Sequence, residues 1–177
     1  AERLAPVPGS TIDRTTSWAQ TENFATNGTR LAMRVYLDAN VIILIVEKSQ
    51  LERELITRMF DGAARADVQL VTRELKLAEA LVLPIRDMGR GSALELEYRK
   101  PFLEPGAPFE LIQITLPLLL TSAEVRARTR NKLPDSIHVA TAETEKCAFL
   151  VSNDARHQSE QTSVVSLAAF SDILDRG

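Results

Sequence analysis

Four acids fall where the local pattern makes a purely structural role unfavourable. Asp38 closes the apolar run Val35-Tyr36-Leu37, and Asp154 follows Phe149-Leu150-Val151-Ser152-Asn153. Both runs read as short strands, and in an open parallel sheet the functional crevice lies beyond the strands' carboxyl ends. Asp135 opens the helical stretch Pro134–Ala140, at a turn expected near the same edge. Glu79 lies inside a helical stretch, Arg73–Leu83, with Leu75 at i−4 and Val82 at i+3. An acid on such an apolar face needs an ion partner or a metal.

Each acid also has a plain reading. Asp135 suits a helix N-terminus, Asp154 an Asx-turn, Asp38 a helix cap, and Glu79 a partner for an arginine. These readings must all hold at once, and they leave the convergence on one edge unexplained. Carboxylates gathered at one edge repel and require a cation. On that reading, removing one acid leaves the metal-free protein equally or more stable. Oxygen donors without a His or Cys partner select Mg²⁺ or Mn²⁺ over zinc. Such an ion activates a water for in-line attack on phosphorus.

The basic residues Arg126, Arg128, Arg130 and Lys132 crowd the approach to Asp135, and Arg156 stands two residues past Asp154. They are candidates for binding phosphate groups, against the alternative of a solvated helix end whose cations suit the dipole. His138, at i+3 from Asp135, reads as a packed structural histidine rather than an acid or ligand. His157 reads as exposed in a polar loop.

The elements that must position these groups alternate between short β-like runs and longer helical ones, the mark of a parallel sheet with crossover helices. Strands are expected at Met33–Leu37, Val68–Val71, Phe109–Thr115, Ala148–Ser152 and Ser163–Ser166. Val41–Val46 leads into a polar helix ending near Phe60, where Asp61-Gly62 reads as a stop. Thr72 is a plausible N-cap for a helix ending at Leu83, before Pro84. Further helices are expected over 86–103, 117–130, 134–146 and 167–174.

Composition sets the outer limits. The chain has 177 residues, 45% hydrophobic and 25% charged, enough for one globular domain with a core. The longest apolar runs, such as Val41–Val46 and Leu116–Leu120, are too short to span a bilayer. A single cysteine, Cys147, excludes an internal disulfide and a cysteine-based zinc site, and suits a reducing cytoplasm. A net charge of −3 means that any RNA binding must rest on local basic patches and on metal ions rather than on bulk charge. Residues 1–32 are rich in Thr, Ser, Asn, Ala and Gln, show no sustained period, and are expected to be an N-terminal extension, non-native or disordered. The domain is expected to occupy 33–177.

Four segments carry a resemblance. Tyr36-Leu37-Asp38-Ala39-Asn40-Val41-Ile42, Leu77-Ala78-Glu79-Ala80-Leu81-Val82, Leu133-Pro134-Asp135-Ser136-Ile137-His138-Val139-Ala140-Thr141-Ala142 and Leu150-Val151-Ser152-Asn153-Asp154 resemble, in order, the signatures of PIN domains, above all the VapC-type toxins of bacterial toxin–antitoxin pairs. The resemblance spans 33–177. One departure is Ala39, where the family often has Ser or Thr. The resemblance implies a three-layer α/β/α sandwich around a parallel sheet. It also implies a Mg²⁺- or Mn²⁺-dependent endoribonuclease, a frequent homodimer, and inhibition by a cognate antitoxin. By position, Asp38, Glu79, Asp135 and Asp154 form the acidic set, with Asp38 and Asp135 as direct ligands, Asp154 a ligand directly or through water, and Glu79 orienting water or holding a second ion. Asn40 and Asn153 match flanking polar positions.

Three rivals remain. A catalytically silent PIN-like module that binds RNA or protein has no reason to keep mutually repelling acids. A haloacid-dehalogenase-type phosphatase requires a second Asp two residues after the first, where this chain has Asn40. A receiver domain requires an acidic pair at strand 1 and a phosphoacceptor where this chain has Ile114-Thr115-Leu116.

Overall fold

In the computed structural model, five strands form one parallel sheet in the order β3-β2-β1-β4-β5. The structure describes residues 32–47, 50–154 and 157–176, so the leader up to residue 31 and Arg156 lie outside it. The strands are β1 (Met33–Leu37), β2 (Val68–Arg73), β3 (Glu110–Ile112), β4 (Phe149–Val151) and β5 (Ser163–Val165). The helices are α1 (Ala39–Glu47), α2 (Gln50–Arg65), α3 (Leu75–Met88), α4 (Ala93–Leu103), α5 (Leu116–Thr129), α6 (Leu133–Thr144) and α7 (Leu167–Arg176).

The alternation of side chains along β1 sorts the core into two halves. Val35 and Leu37 face one layer, built with Val41 and Ile42 of α1, Ile56 and Met59 of α2, Tyr98 and Phe102 of α4, and Leu167 and Phe170 of α7. Tyr36 faces the other, with Leu118 and Val125 of α5 and Val139 and Ala140 of α6. The result is the expected three-layer α/β/α sandwich, with β1 at the centre and buried from both sides. Among the described residues no helix is long and apolar enough to cross a membrane.

Several local expectations are corrected by packing. Asp61-Gly62 does not stop a helix: α2 runs through it to Arg65. A Cβ on Gly62 would meet Leu174 Cβ at 2.9 Å, so the glycine lets α2 approach α7 closely. Thr72 lies in β2 rather than capping a helix, and its hydroxyl donates to the carbonyl of Leu37 at 2.9 Å. Pro84 sits inside α3, which continues to Met88. The expected helix over 86–103 is divided instead: Gly89 and Gly91, both at φ +80°, turn the chain between α3 and α4.

Candidate active site

The central strands place the first acid. Asp38 follows β1 directly, its backbone N–H donates to Val151 of β4 at 2.9 Å, and its carbonyl accepts from Val41 in the first turn of α1. The side chain is thereby fixed at the carboxyl edge of the sheet, and only 3% of the residue is exposed. Its partners come from three parts of the chain. Lys76 Nζ of α3 lies 2.5 Å from Oδ1, Ser152 Oγ donates to Oδ2 at 2.7 Å, and His157 Nε2 stands 3.2 Å from Oδ2. Burial opposes ionisation of Asp38, but the bonds from His157, Lys76 and Ser152 outweigh it and hold the carboxyl well below the usual carboxylate range.

Lys76 joins the second acid to the first. Its ammonium also lies 2.8 Å from Glu79 Oε2, one turn further along α3. Glu79 Oε1 stands 3.4 Å from His138 Nε2 of α6, and His138 Nδ1 lies 2.7 Å from the Tyr36 hydroxyl. Burial raises the Tyr36 pKa well above its usual value, so its hydroxyl keeps its proton and donates to Nδ1. Burial lowers the His138 pKa by more than Glu79 raises it, and so favours the neutral ring. A neutral ring that accepts at Nδ1 carries its proton on Nε2 and donates to Glu79. Burial raises the Glu79 pKa less than His138 and Lys76 lower it, so this carboxylate stays ionised too.

The other two acids sit at the border. Asp154 is half-buried, and its backbone N–H donates to the same Ser152 hydroxyl that bonds Asp38, at 3.0 Å. Asp135 is half-buried in the first turn of α6, where it adds to the upward shift of the His157 pKa. It shares a recess of about 350 Å³ with Thr129, Arg130, Asn131, Lys132 and Gln158. Among the described residues, no three His, Cys, Asp or Glu side chains are grouped to hold one metal ion.

The supporting residues divide. Asn153 Oδ1 accepts from the backbone N–H of Leu167 at 3.2 Å, which satisfies a donor in the first turn of α7. Asn40 is exposed on α1. Arg128 Nη2 lies 2.6 Å from Glu143 of α6 and Nη1 3.3 Å from Glu160, whereas Arg126 is exposed on α5. Among the described residues of the basic group, only Arg130 and Lys132 share the recess with Asp135.

Three readings of the sequence change here. His157 is buried against Asp38 rather than exposed. Nitrogen partners stand beside both central acids, where spacing suggested oxygen donors alone. Lys76, which sequence reasoning missed, bridges Asp38 and Glu79 and offsets the repulsion expected between those two. Its only signal was a lysine one turn before Glu79, on the same helical face.

A PIN domain model matches residues 35–160. The chain belongs to the PIN domain family. Solved structures share this PIN fold at low identity. A toxin–antitoxin complex from Klebsiella pneumoniae is 18% identical with a TM-score of 0.55, over 75% of this chain and 97% of that one. A protein from Pyrobaculum aerophilum is 13% identical with a TM-score of 0.59, over 83% of this chain and 100% of that one. VapBC2 from Rickettsia felis, bound to a DNA fragment from its promoter, is 13% identical with a TM-score of 0.57, over 76% and 98%. No curated protein matches the chain. In this PIN domain the four expected acids therefore fall into a central pair, Asp38 and Glu79, tied by Lys76, and a bordering pair, Asp135 and Asp154.

Proposed function

We propose that this PIN domain is a divalent-metal-dependent endoribonuclease and the toxin of a VapBC-like pair, with Asp38, Glu79, Asp135 and Asp154 as its acidic set. The observation that carries the reading is the meeting of Asp38 and Glu79 around one cationic centre at the carboxyl edge of a parallel sheet. The ammonium of Lys76 stands in there for a cation, 2.5 Å from one carboxylate and 2.8 Å from the other. Two carboxylates are the usual protein share of a Mg²⁺ site, so the donor set fits Mg²⁺ or Mn²⁺. Bound there, such an ion would polarise a phosphate oxygen and acidify a water.

The chain's own residues supply the rest. His157 and Ser152 orient Asp38 and keep it ionised, while Tyr36 and His138 fix the direction of Glu79. Arg130 and Lys132 hold substrate phosphates beside Asp135. Family resemblance, together with toxin–antitoxin complexes among proteins of the same fold, supports an antitoxin partner, a homodimer and a cytoplasmic site of action.

A specific observation favours a second reading, a catalytically silent module that binds RNA or protein: Lys76 already bridges the central pair and offsets one of its two charges. Incubating the protein with a mixed RNA pool in Mg²⁺, Mn²⁺ or EDTA, and mapping the cut ends, separates the two. The nuclease reading expects cleavage that EDTA abolishes, that metal restores, and that Asp38→Ala removes. Absence of cleavage under every condition, with RNA still retained, establishes the silent module instead.

A further inference from the structure

Among the described lysines Lys76 is the least accessible, with 3% of its side chain exposed. A buried ammonium needs acceptors, and the two found here are the carboxylates assigned above to a metal ion. An ammonium has three donors and no acceptor, so its contacts with Asp38 Oδ1 and Glu79 Oε2 use the oxygen lone pairs that would otherwise coordinate an ion. The remaining oxygens are also engaged. Asp38 Oδ2 takes Ser152 and His157, and Glu79 Oε1 faces His138. Each of the four oxygens of the central pair therefore already has a partner, although Glu79 keeps 32% of its side chain exposed, and the ammonium occupies the space between the two carboxylates.

We propose that Lys76 is an intramolecular counter-ion that competes with the divalent metal for Asp38 and Glu79, so that metal binding requires its displacement. This rests on the nuclease reading of the same two carboxylates. In the metal-free protein the ammonium closes the site and ties α3 to the end of β1. The metal-competent state is then only a fraction of the population, and apparent affinity falls by that fraction. The ammonium also places a positive charge beside the incoming dication, which lowers affinity further. The long unbranched stem lets the head withdraw without moving the α3 backbone.

The test compares the full chain with Lys76→Met, which keeps the stem and removes the charge, and with Lys100→Met, an exposed control paired to Glu97. Mn²⁺ uptake is measured by calorimetry and by the loss of the free-ion signal in electron paramagnetic resonance. Lys76→Met should bind Mn²⁺ at least about tenfold more tightly than wild type, as a competent fraction of one in ten implies. It should also melt lower in EDTA and gain more melting temperature on adding Mn²⁺. Lys100→Met should match wild type in all three. If Lys76→Met does not fold in EDTA, refolding in Mn²⁺ must rescue it, because the ion takes the ammonium's place; failure of that rescue overturns the proposal. Equal or weaker Mn²⁺ binding by a folded Lys76→Met also overturns it, leaving the nuclease reading intact. Absence of Mn²⁺ uptake by both wild type and Lys76→Met overturns the metal reading itself and the displacement with it.

Discussion

His157 Nε2 lies 3.2 Å from Asp38 Oδ2, although 119 positions separate the two residues in sequence. Burial alone would lower the pKa of this histidine, but Asp38 raises it by more and Asp135 adds to the rise. A raised value in the folded state stabilises the fold fully below the unfolded value, about 6.5, and that stabilisation is lost as pH climbs through the folded value. The stability difference between wild type and His157→Asn in EDTA should therefore be greatest below about pH 6.5 and shrink as pH rises above it. His138 is shifted the opposite way and remains in both proteins. Denaturant melts across that range check the prediction; a gap that widens with pH would sink it.

Asp38→Asn should lower the stability of the metal-free protein. Repulsion among the acids alone argued the reverse, but here the change leaves Lys76 buried with Glu79 as its remaining carboxylate partner. Breaking one side of a buried pair costs about 3 kcal/mol, far more than relief of repulsion returns. Cleavage should fall by orders of magnitude in the same variant. Chemical denaturation in EDTA decides it, and unchanged or raised stability would show that the pair contributes nothing net.

The basic group should separate by function. Arg130→Ala and Lys132→Ala should each weaken RNA binding and reduce the slope of log affinity against log salt by about one. Arg128→Ala should leave that slope unchanged and cost about 1 kcal/mol of stability, because its partner Glu143 is buried with 5% of its side chain exposed. Binding isotherms at several salt concentrations test the split. An equal loss of slope in all three variants would return Arg128 to the RNA surface.

Gly62→Ala should destabilise the fold by about 1–3 kcal/mol, as overpacking of a filled contact does. The added methyl would meet Leu174 Cβ at 2.9 Å and push α7 away from α2. Helix propensity alone predicts the opposite sign, since alanine favours a helix interior by about 1 kcal/mol over glycine. A melting temperature at or above wild type would mean that α7 yields at no cost.

The sequence by itself determined the layers and singled out the acids proposed for the site. β-Branched and aromatic runs separated by helical stretches can only build a parallel sheet wrapped on both faces, and β1 was legible to the residue. Asp38 and Asp154 were legible because a charge just past an apolar strand has one place to go, the carboxyl edge. Helix ends were less legible: Asp61-Gly62 and Pro84 carry the chemistry of a stop, yet α2 and α3 pass through them because packing against α7 and α4 outweighs local propensity. The internal arrangement of the site was decided only in three dimensions. Which acid meets which cation depends on the register that sets Asp38 beside Ser152, on the crossover that brings α3 over the edge, and on the loop that returns His157. Those are contacts between residues far apart in sequence, and no local period encodes them. Lys76 shows the limit most clearly, since one turn before Glu79 it reads as an ordinary i,i+3 partner until the fold sets Asp38 against the same ammonium.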